Sequence, residues 1–210
     1  MTLVSSFNKT FQTYKNKVAI EFNDKEVTFD DINKTSNKIA NALRNISVNK
    51  GDRVALFLAN SLELINFFNG TLKNGSIVVP MNTYFKEIEA KHMLNDSGAK
   101  VVLTDKERLP IIKKILSELN FLKHVIIVDG NEFIDFNDFI KDSSDVNPDV
   151  EINDDDGSIM FYTSGTTGRC KGALLSHKNM ESDLEALKQT WHLTDKDKLL
   201  LTLPLYISMA

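Results

Sequence analysis

The sequence predicts an α/β protein with a mostly parallel sheet, flanking helices and βαβ units. From residue 53 onward, short apolar runs that indicate buried strands alternate with amphipathic stretches of helical period. The runs lie at residues 53–58, 76–80, 101–104 and 124–128. Strands that are apolar throughout are typical of parallel sheets covered by helices. The 210 residues are 42% hydrophobic and 26% charged, which is ordinary usage for a packed domain.

The N-terminal elements follow from periodicity and turn residues. Apolar positions at helical spacing predict a short helix through about Lys17. Residues 18–22 and 26–29 predict a β-hairpin around a polar turn. Asp30 is the expected N-cap of the next helix. The apolar positions of that helix recur with the helical period at Ile32, Ile39, Leu43 and Ile46.

Three helices are expected between the central strands. Ser61 is expected to cap the first, which runs to about Lys73. The second spans about Lys86 to Asp96 and stops at Gly98, because glycine commonly ends a helix. The third covers residues 109–119, where apolar residues again recur at helical spacing.

The C-terminal part predicts two strands around a polar loop, then a helix and a last strand. The two strands are residues 157–162 and 172–175, and the helix runs from near His177 to Trp191. Residues 198–203 predict the last strand. That strand would be an unpaired edge, which offers a surface for self-association.

The segment at residues 142–156 is acidic, contains no Lys or Arg, and includes Pro148. This composition predicts a solvated connector that precedes the polar loop. An acidic metal site is the alternative, but the spacing of the carboxylates matches no calcium-binding loop.

Charge and cysteine content exclude some classes of protein. The net charge is −4 and lysines are dispersed along the chain, so a nucleic-acid-binding surface is not indicated. Cys170 is the single cysteine, which excludes an intramolecular disulfide and fits a reducing compartment. No signal peptide is visible, and no apolar run approaches the roughly 20 residues of a transmembrane helix. A cytoplasmic location is therefore expected.

The residues most informative about function form the loop at 162–172, with the sequence YTSGTTGRCKG. Glycines let backbone N–H groups approach an anion, hydroxyls donate to phosphate oxygens, and Arg169 and Lys171 offset negative charge. The spacing of Gly165 and Gly168 matches neither the Walker pattern nor the dinucleotide-binding fingerprint. The sequence therefore predicts a strand-loop-strand clasp over a polyphosphate, which we call the predicted phosphate loop.

The predicted phosphate loop resembles the signature of the adenylate-forming (AMP-binding) superfamily, which includes acyl-CoA synthetases, peptide-synthetase adenylation domains and firefly luciferase. Further segments that look like those of the family occur in the right order at residues 28–40, 51–55, 79–82 and 96–100. Cys170 stands where the family usually has Pro. The resemblance thus covers most of the chain and implies the large domain of an adenylate-forming enzyme.

The resemblance implies that ATP and a small-molecule carboxylic acid, fatty or other, give an acyl-adenylate and pyrophosphate. A thiol, commonly that of coenzyme A, then displaces AMP. By resemblance, the β- and γ-phosphates would be held by Thr163, Ser164, Thr166 and Thr167 and by the amides of Gly165 and Gly168. Lys171 would add positive charge or brace the loop, and Thr163 would contact magnesium. The expected cofactors are therefore ATP, Mg²⁺ and coenzyme A, with no catalytic residue assigned.

Family members continue past the segments matched here, with adenine- and ribose-binding residues and a C-terminal lid domain that carries a catalytic Lys. We therefore expect residues 1–210 to be the N-terminal portion of an AMP-binding domain, without the lid and nearly inactive alone. The alternatives are a non-enzymatic product that binds nucleotide or a partner, and part of a peptide-synthetase adenylation domain. Residues 203–206 resemble a family element near the acyl pocket, with Ile207 at the position of its His.

Overall fold

The structure is a computed structural model and describes residues 2–163 and 170–206. The strands are β1 (Val18–Phe22), β2 (Lys25–Thr28), β3 (Arg53–Phe57), β4 (Ile77–Pro80), β5 (Val101–Asp105), β6 (His124–Val128), β7 (Ile134–Asp135), β8 (Gly157–Thr163) and β9 (Lys171–Ser176). The α-helices are α1 (Leu3–Thr13), α2 (Phe29–Asn45), α3 (Leu62–Lys73), α4 (Glu87–Ser97), α5 (Leu109–Ile115), α6 (Phe136–Ile140) and α7 (His177–Thr190). A 3₁₀ turn at Leu116–Glu118 follows α5.

The main sheet is mostly parallel, as the sequence predicts. Its order is β7-β6-β5-β3-β4-β8-β9, and β9 alone pairs antiparallel to its neighbour. β1 and β2 form the separate antiparallel hairpin that was predicted. Because β3 lies between β4 and β5, the chain reverses its direction of travel across the sheet at this point. In open α/β sheets, ligands bind beyond the carboxyl ends of the strands near such a reversal.

Helices cover both faces of the sheet because successive strand residues point to opposite sides. Val54 and Leu56 of β3 pack in one core with apolar residues of α1, α2, α3 and α6. Ala55 and Phe57, also of β3, pack in a second core with apolar residues of α4 and α5. All four of these β3 side chains are buried, and the sheet therefore lies between two helical layers.

Two details of the prediction are wrong. The N-cap of α2 is Thr28 and not Asp30, because the Thr28 hydroxyl accepts from the Asp31 N–H while the Asp31 carboxylate accepts from the Thr28 N–H. Residues 198–203 form no strand, since no described strand pairs with them. The edges of the described main sheet are instead β7 and β9. Self-association therefore stays a prediction, but the edge strand at residues 198–203 no longer supports it.

The acidic segment 142–156 lies against α2 and the turn before β3. Asn37 and Asn41 of α2 donate side-chain hydrogen bonds to backbone carbonyls of Asp145, Ser144 and Val146 at 2.8–2.9 Å. Lys50 donates to the Glu151 carbonyl at 2.9 Å and pairs with the Asp156 carboxylate at 2.6 Å. The segment thus follows a defined path from α6 to β8. Among the described residues, no helix is both long and apolar enough to cross a membrane.

Candidate functional site

The predicted phosphate loop connects two paired strands, β8 and β9. The last residue of β8, Thr163, lies opposite the first residue of β9, Lys171, and both side chains are exposed. Because β8 runs parallel to β4, Thr163 lies at the same edge of the sheet as the carboxyl ends of β3, β4 and β5. The two paired strands predicted on either side of the loop are therefore present. The loop begins and ends at the carboxyl edge of the sheet, which is where α/β proteins bind ligands.

The candidate site residues divide into two sets. Thr163 and Lys171 are described, and the antiparallel register brings them together. Ser164, Gly165, Thr166, Thr167 and Gly168 lie outside the described residues. Their assignment to phosphate binding stays a prediction.

The arm of the loop that enters from β8 is held through Tyr162. Its phenol donates a 2.7 Å hydrogen bond to Oδ2 of Asp96, the next-to-last residue of α4. Burial raises the pKa of Tyr162 well above its ordinary value, and the hydrogen bond to the Asp96 carboxylate raises it further. The phenol therefore stays protonated and remains a donor. Gly172 pairs with Tyr162, and a Cβ at that glycine would lie 3.1 Å from Tyr162 Cζ.

The arm that leaves the loop is held through Cys170. The Nε2 atom of His92, also on α4, lies 3.0 Å from the Cys170 carbonyl oxygen. A carbonyl oxygen only accepts hydrogen bonds, so Nε2 carries the proton. A cleft of about 720 Å³ lies beside this contact and is lined by Phe85, Ile88, Glu89, Lys91, His92, Met93, Asn95, Asp96 and Cys170.

A second segment reaches the same edge of the sheet through Asn60, which follows β3. The Asn60 side chain donates to the Leu203 carbonyl at 3.0 Å and accepts from the Leu205 N–H at 2.8 Å. The side-chain amide thereby satisfies two backbone groups of the segment that the sequence likens to an acyl-pocket element. A polar residue shortly after a buried strand was the available signal for Asn60, and the sequence analysis did not use it.

The junction of β9 and α7 contains His177, the first residue of the helix. Its side chain is fully buried, and neither ring nitrogen has a hydrogen-bond partner among the described residues. Burial lowers the pKa of His177, although the Asp156 and Asp154 carboxylates act in the opposite direction. His177 is therefore a packed side chain at the base of the hairpin, in surroundings that favour its neutral form. It begins α7, as predicted.

The sequence predicts a magnesium contact at Thr163. Within residues 2–163 and 170–206, no group of three or more His, Cys, Asp or Glu side chains is placed to hold a metal ion. Magnesium that accompanies a nucleotide is usually held by phosphate oxygens, water and one or two protein oxygens. The exposed Thr163 hydroxyl at the end of β8 fits such a single protein contact.

Comparison with known proteins decides the family. The sequence profile of the AMP-binding enzyme family matches residues 7–210. The chain belongs to this family. It is similar to the long-chain-fatty-acid–CoA ligase FadD13 of Mycobacterium tuberculosis, with 33% identity over 183 residues. That match covers 87% of the chain and 36% of the relative, so the chain spans about a third of the length of this relative.

Solved structures agree with this assignment. The chain superposes on the inhibitor-bound N-terminal domain of FACL13 from Mycobacterium tuberculosis with a TM-score of 0.91 and 29% identity, covering 98% of the chain and 52% of that structure. It superposes on ATP-bound MatB from Rhodopseudomonas palustris with a TM-score of 0.84 and 28% identity, covering 99% and 41%. The α/β fold predicted from sequence is thus confirmed as that of AMP-binding enzymes.

Sequence reasoning missed the two residues of this AMP-binding enzyme that contact the arms of the loop. His92 was assigned no role from the sequence, and Asp96 was noted only as the end of a helix and the start of a family-like segment. The structure brings them to Cys170 and Tyr162 across 78 and 66 residues of chain. No short-range pattern reports such a contact, although the i, i+4 spacing places both residues on one face of α4.

Proposed function

We propose that the chain supplies the phosphate-binding part of an ATP-dependent, AMP-forming ligase for a carboxylic acid. The observation that carries the proposal is the β8–β9 hairpin of a family member, open at the carboxyl edge of a parallel sheet with Thr163 opposite Lys171. Hydroxyl and ammonium groups at this position suit the terminal phosphates of ATP. The ATP-bound MatB structure supports the choice of nucleotide.

The proposed reaction has two steps. A carboxylate oxygen of the acid attacks the α-phosphorus of ATP, the bond to the bridging oxygen breaks, and pyrophosphate leaves with that oxygen. The thiol of coenzyme A then loses its proton as its sulfur bonds to the acyl carbon, the bond from that carbon to the carboxyl oxygen that had bonded to phosphorus breaks, and AMP departs with that oxygen. A cytoplasmic location is part of the same proposal.

Residues of the predicted phosphate loop would act on the leaving pyrophosphate. Negative charge gathers on this group as the α-phosphorus bond breaks, and donors already in place stabilise it without reorganisation. Thr163 would donate its hydroxyl or contact Mg²⁺, and Lys171 would supply positive charge. Magnesium, when bound, would neutralise part of the phosphate charge. FadD13 is named a long-chain-fatty-acid–CoA ligase, which supports fatty acids as the first substrates to test.

The test is carboxylate-dependent exchange of labelled pyrophosphate into ATP, with a panel of fatty, short aliphatic and aromatic acids. Both the 210-residue chain and the full product of its gene should be assayed. We expect exchange by the full product and almost none by the 210 residues alone. ATP binding without exchange for any acid would contradict the enzymatic proposal and favour a nucleotide-binding role.

Two substitutions connect the exchange to the loop. Thr163→Val removes a hydroxyl at nearly constant volume, and Lys171→Met removes a charge at nearly constant length. Removal of a comparable preorganised donor in other enzymes costs about 10²–10³ in kcat. Lys178→Met, at an exposed lysine on α7, is the matched control and should leave the exchange unchanged. Equal activity of Lys171→Met and Lys178→Met would remove Lys171 from the site.

A further inference from the structure

One face of α4 contacts both arms of the predicted phosphate loop. Asp96 accepts from the Tyr162 phenol at 2.7 Å, and His92 donates to the Cys170 carbonyl at 3.0 Å. Residues four apart on a helix are neighbours on its surface, so the two contacts come from adjacent points of one rigid element. Tyr162 directly precedes Thr163, and Cys170 directly precedes Lys171.

We propose that His92 and Asp96 are positioning residues that hold the two arms of the predicted phosphate loop on α4. The inference deepens the proposed function and rests on it, since the geometry that is held matters only if the loop binds phosphate. Thr163 and Lys171 are each one residue from a held position, and they face each other across the hairpin. The two contacts therefore fix the distance between the two strand ends from which the loop extends, and the position of both ends relative to α4.

The helix that makes these contacts is itself firmly placed. Arg53, at the start of β3, donates to the carbonyls of Ser97 at 2.6 Å and Gly98 at 3.0 Å at the end of α4. Met93 and Leu94 of α4 are buried in the core between sheet and helices. Because its side chains are packed and its C-terminal carbonyls are hydrogen-bonded, α4 does not move readily with the loop. Contacts from such an element reduce the reorganisation that ligand binding requires.

Both contacts are directional and suited to a fixed role. The Cys170 carbonyl accepts only, so His92 donates through Nε2 whether its imidazole is neutral or protonated. The Asp96 carboxylate accepts, and the Tyr162 phenol donates. Gly172 lies beside the Tyr162 ring, and an added Cβ would come within 3.1 Å of it. Gly172 thus leaves enough space for the Tyr162 phenol to reach Asp96.

The first experiment separates positioning from general support of the fold. In the full gene product, His92→Leu removes the donor and His92→Gln keeps an N–H of similar reach. Asp96→Leu removes the acceptor and Asp96→Asn keeps one. We expect the leucine variants to raise the KM for ATP in pyrophosphate exchange by about fivefold each, the equivalent of one ordinary hydrogen bond. The KM for the carboxylic acid should not change, and the Gln and Asn variants should stay near wild type.

Two further variants serve as internal checks. Glu87→Gln is the matched control, because Glu87 lies on α4 and pairs with Lys114 of α5 at 2.7 Å, and it is not among the residues that line the cleft beside Cys170. It should leave the KM for ATP unchanged. Tyr162→Phe removes the same hydrogen bond as Asp96→Leu from the other side. The double variant should therefore be no worse than either single variant.

The second experiment does not need activity. Trypsin can cut after Arg169 and Lys171, so cleavage at these two bonds reports on the arms in the 210-residue chain itself. We expect His92→Leu and Asp96→Leu to accelerate cleavage there about fivefold relative to Glu87→Gln, with unchanged cleavage elsewhere and unchanged melting temperature.

The outcomes are distinct for the two proposals. If the wild-type gene product shows no exchange with any acid, the proposed function fails, and the trypsin experiment alone decides whether α4 holds the arms. If exchange occurs but the leucine variants keep the wild-type KM for ATP and the wild-type cleavage pattern, the positioning role is overturned. It is overturned as well if His92→Leu and His92→Gln are equally impaired and both melt at a lower temperature, since general destabilisation then explains the loss.

Discussion

The body of the protein, which we define as residues 2–163, and the segment from Lys171 to Tyr206 differ in how deeply their large apolar side chains are buried. In the body, Phe57 and Phe67 are completely buried. In the C-terminal segment, Leu200 is 85% exposed and Trp191 is 54% exposed. Polar contacts hold this segment to the body, among them Ser6 with Glu181, Lys198 with Glu21, and Asn60 with Leu203.

This difference teaches that stability and the candidate site depend on different parts of the chain. Burial of large apolar side chains dominates the free energy of unfolding, whereas exposed polar contacts contribute little. Substitutions in the body should therefore change stability strongly. Substitutions at the hairpin or beyond it should change the site with only a small effect on unfolding.

The largest expected effect is from Phe67→Ala in the body. Phe67 is fully buried, and its ring packs against Phe136 and Phe139 with centroids 6.3 and 6.0 Å away. Loss of a buried phenyl group with its cavity costs about 3–5 kcal/mol. Leu200→Ala is the control and should change the free energy of unfolding by less than about 0.5 kcal/mol. Urea unfolding followed by circular dichroism measures both, and equal losses would break the comparison.

A pH-dependent effect should come from Lys73, which joins α1, α2 and α3. Its ammonium is buried, donates to Oδ1 of Asn33 and of Asn37 at 2.6 Å each, and lies 5.0 Å from the centre of the Phe11 ring. Burial lowers the pKa of Lys73 from 10.5 to about 8. Above pH 8 the folded state has released a proton that the unfolded state still binds, so raising the pH stabilises the folded state.

The measurement compares wild type with Lys73→Met between pH 8 and 9.5 by urea unfolding. The wild type should gain stability relative to the variant, with a slope of at most about 1.4 kcal/mol per pH unit. The variant also leaves two amide oxygens without their donor, so its stability at a single pH is not the test. Parallel pH profiles would show that Lys73 keeps an ordinary pKa in the folded protein.

Much of the fold follows from local physics that the sequence displays. Buried strands, the Ser61 cap and the left-handed Gly98 with φ of 62° were predictable because each depends on residues close in the chain. The two-residue strand β7 and the short helix α6 were not predicted, since such short elements carry no clear period. The apolar run at 198–203 predicted a strand wrongly, because strand formation needs a partner and the described residues provide none.

The candidate site was likewise predictable only where it depends on residues close in the chain. The strand-loop-strand arrangement could be inferred because residue types and glycine spacing define it locally. The roles of Asp96 and His92 could not, because they depend on how α4 packs against a hairpin that lies more than 60 residues further along the chain. Contacts of this kind are set by tertiary structure and leave no periodic signal.

Gly172→Ala tests whether a change in the β8–β9 hairpin affects the KM for ATP more than the free energy of unfolding. The new Cβ would lie 3.1 Å from Tyr162 Cζ and from Met160 Sδ, so these side chains must shift. Overpacking of this kind costs about 1–3 kcal/mol in a core, and we expect the lower end at this exposed strand. The KM for ATP should rise because Tyr162 moves away from Asp96. Ala173→Gly, at the next exposed position of β9, is a control that adds no atoms. A stability loss as large as that of Phe67→Ala would show that the hairpin belongs to the core.

The smallest expected effect concerns His177, the one fully buried residue between Lys171 and Tyr206. Because burial lowers its pKa below 6.5, the unfolded state binds a proton near pH 6 that the folded state does not. Stability that is fully present above pH 6.5 is therefore lost as the pH falls toward the lower pKa of the folded state. His177→Phe keeps a buried ring without unpaired nitrogens and should remove this dependence. Between pH 6.5 and 5.5 the wild type should lose about 1 kcal/mol or less relative to the variant in urea unfolding. A wild type that gains stability over this interval would indicate that Asp156 and Asp154 outweigh burial and hold a charged imidazole.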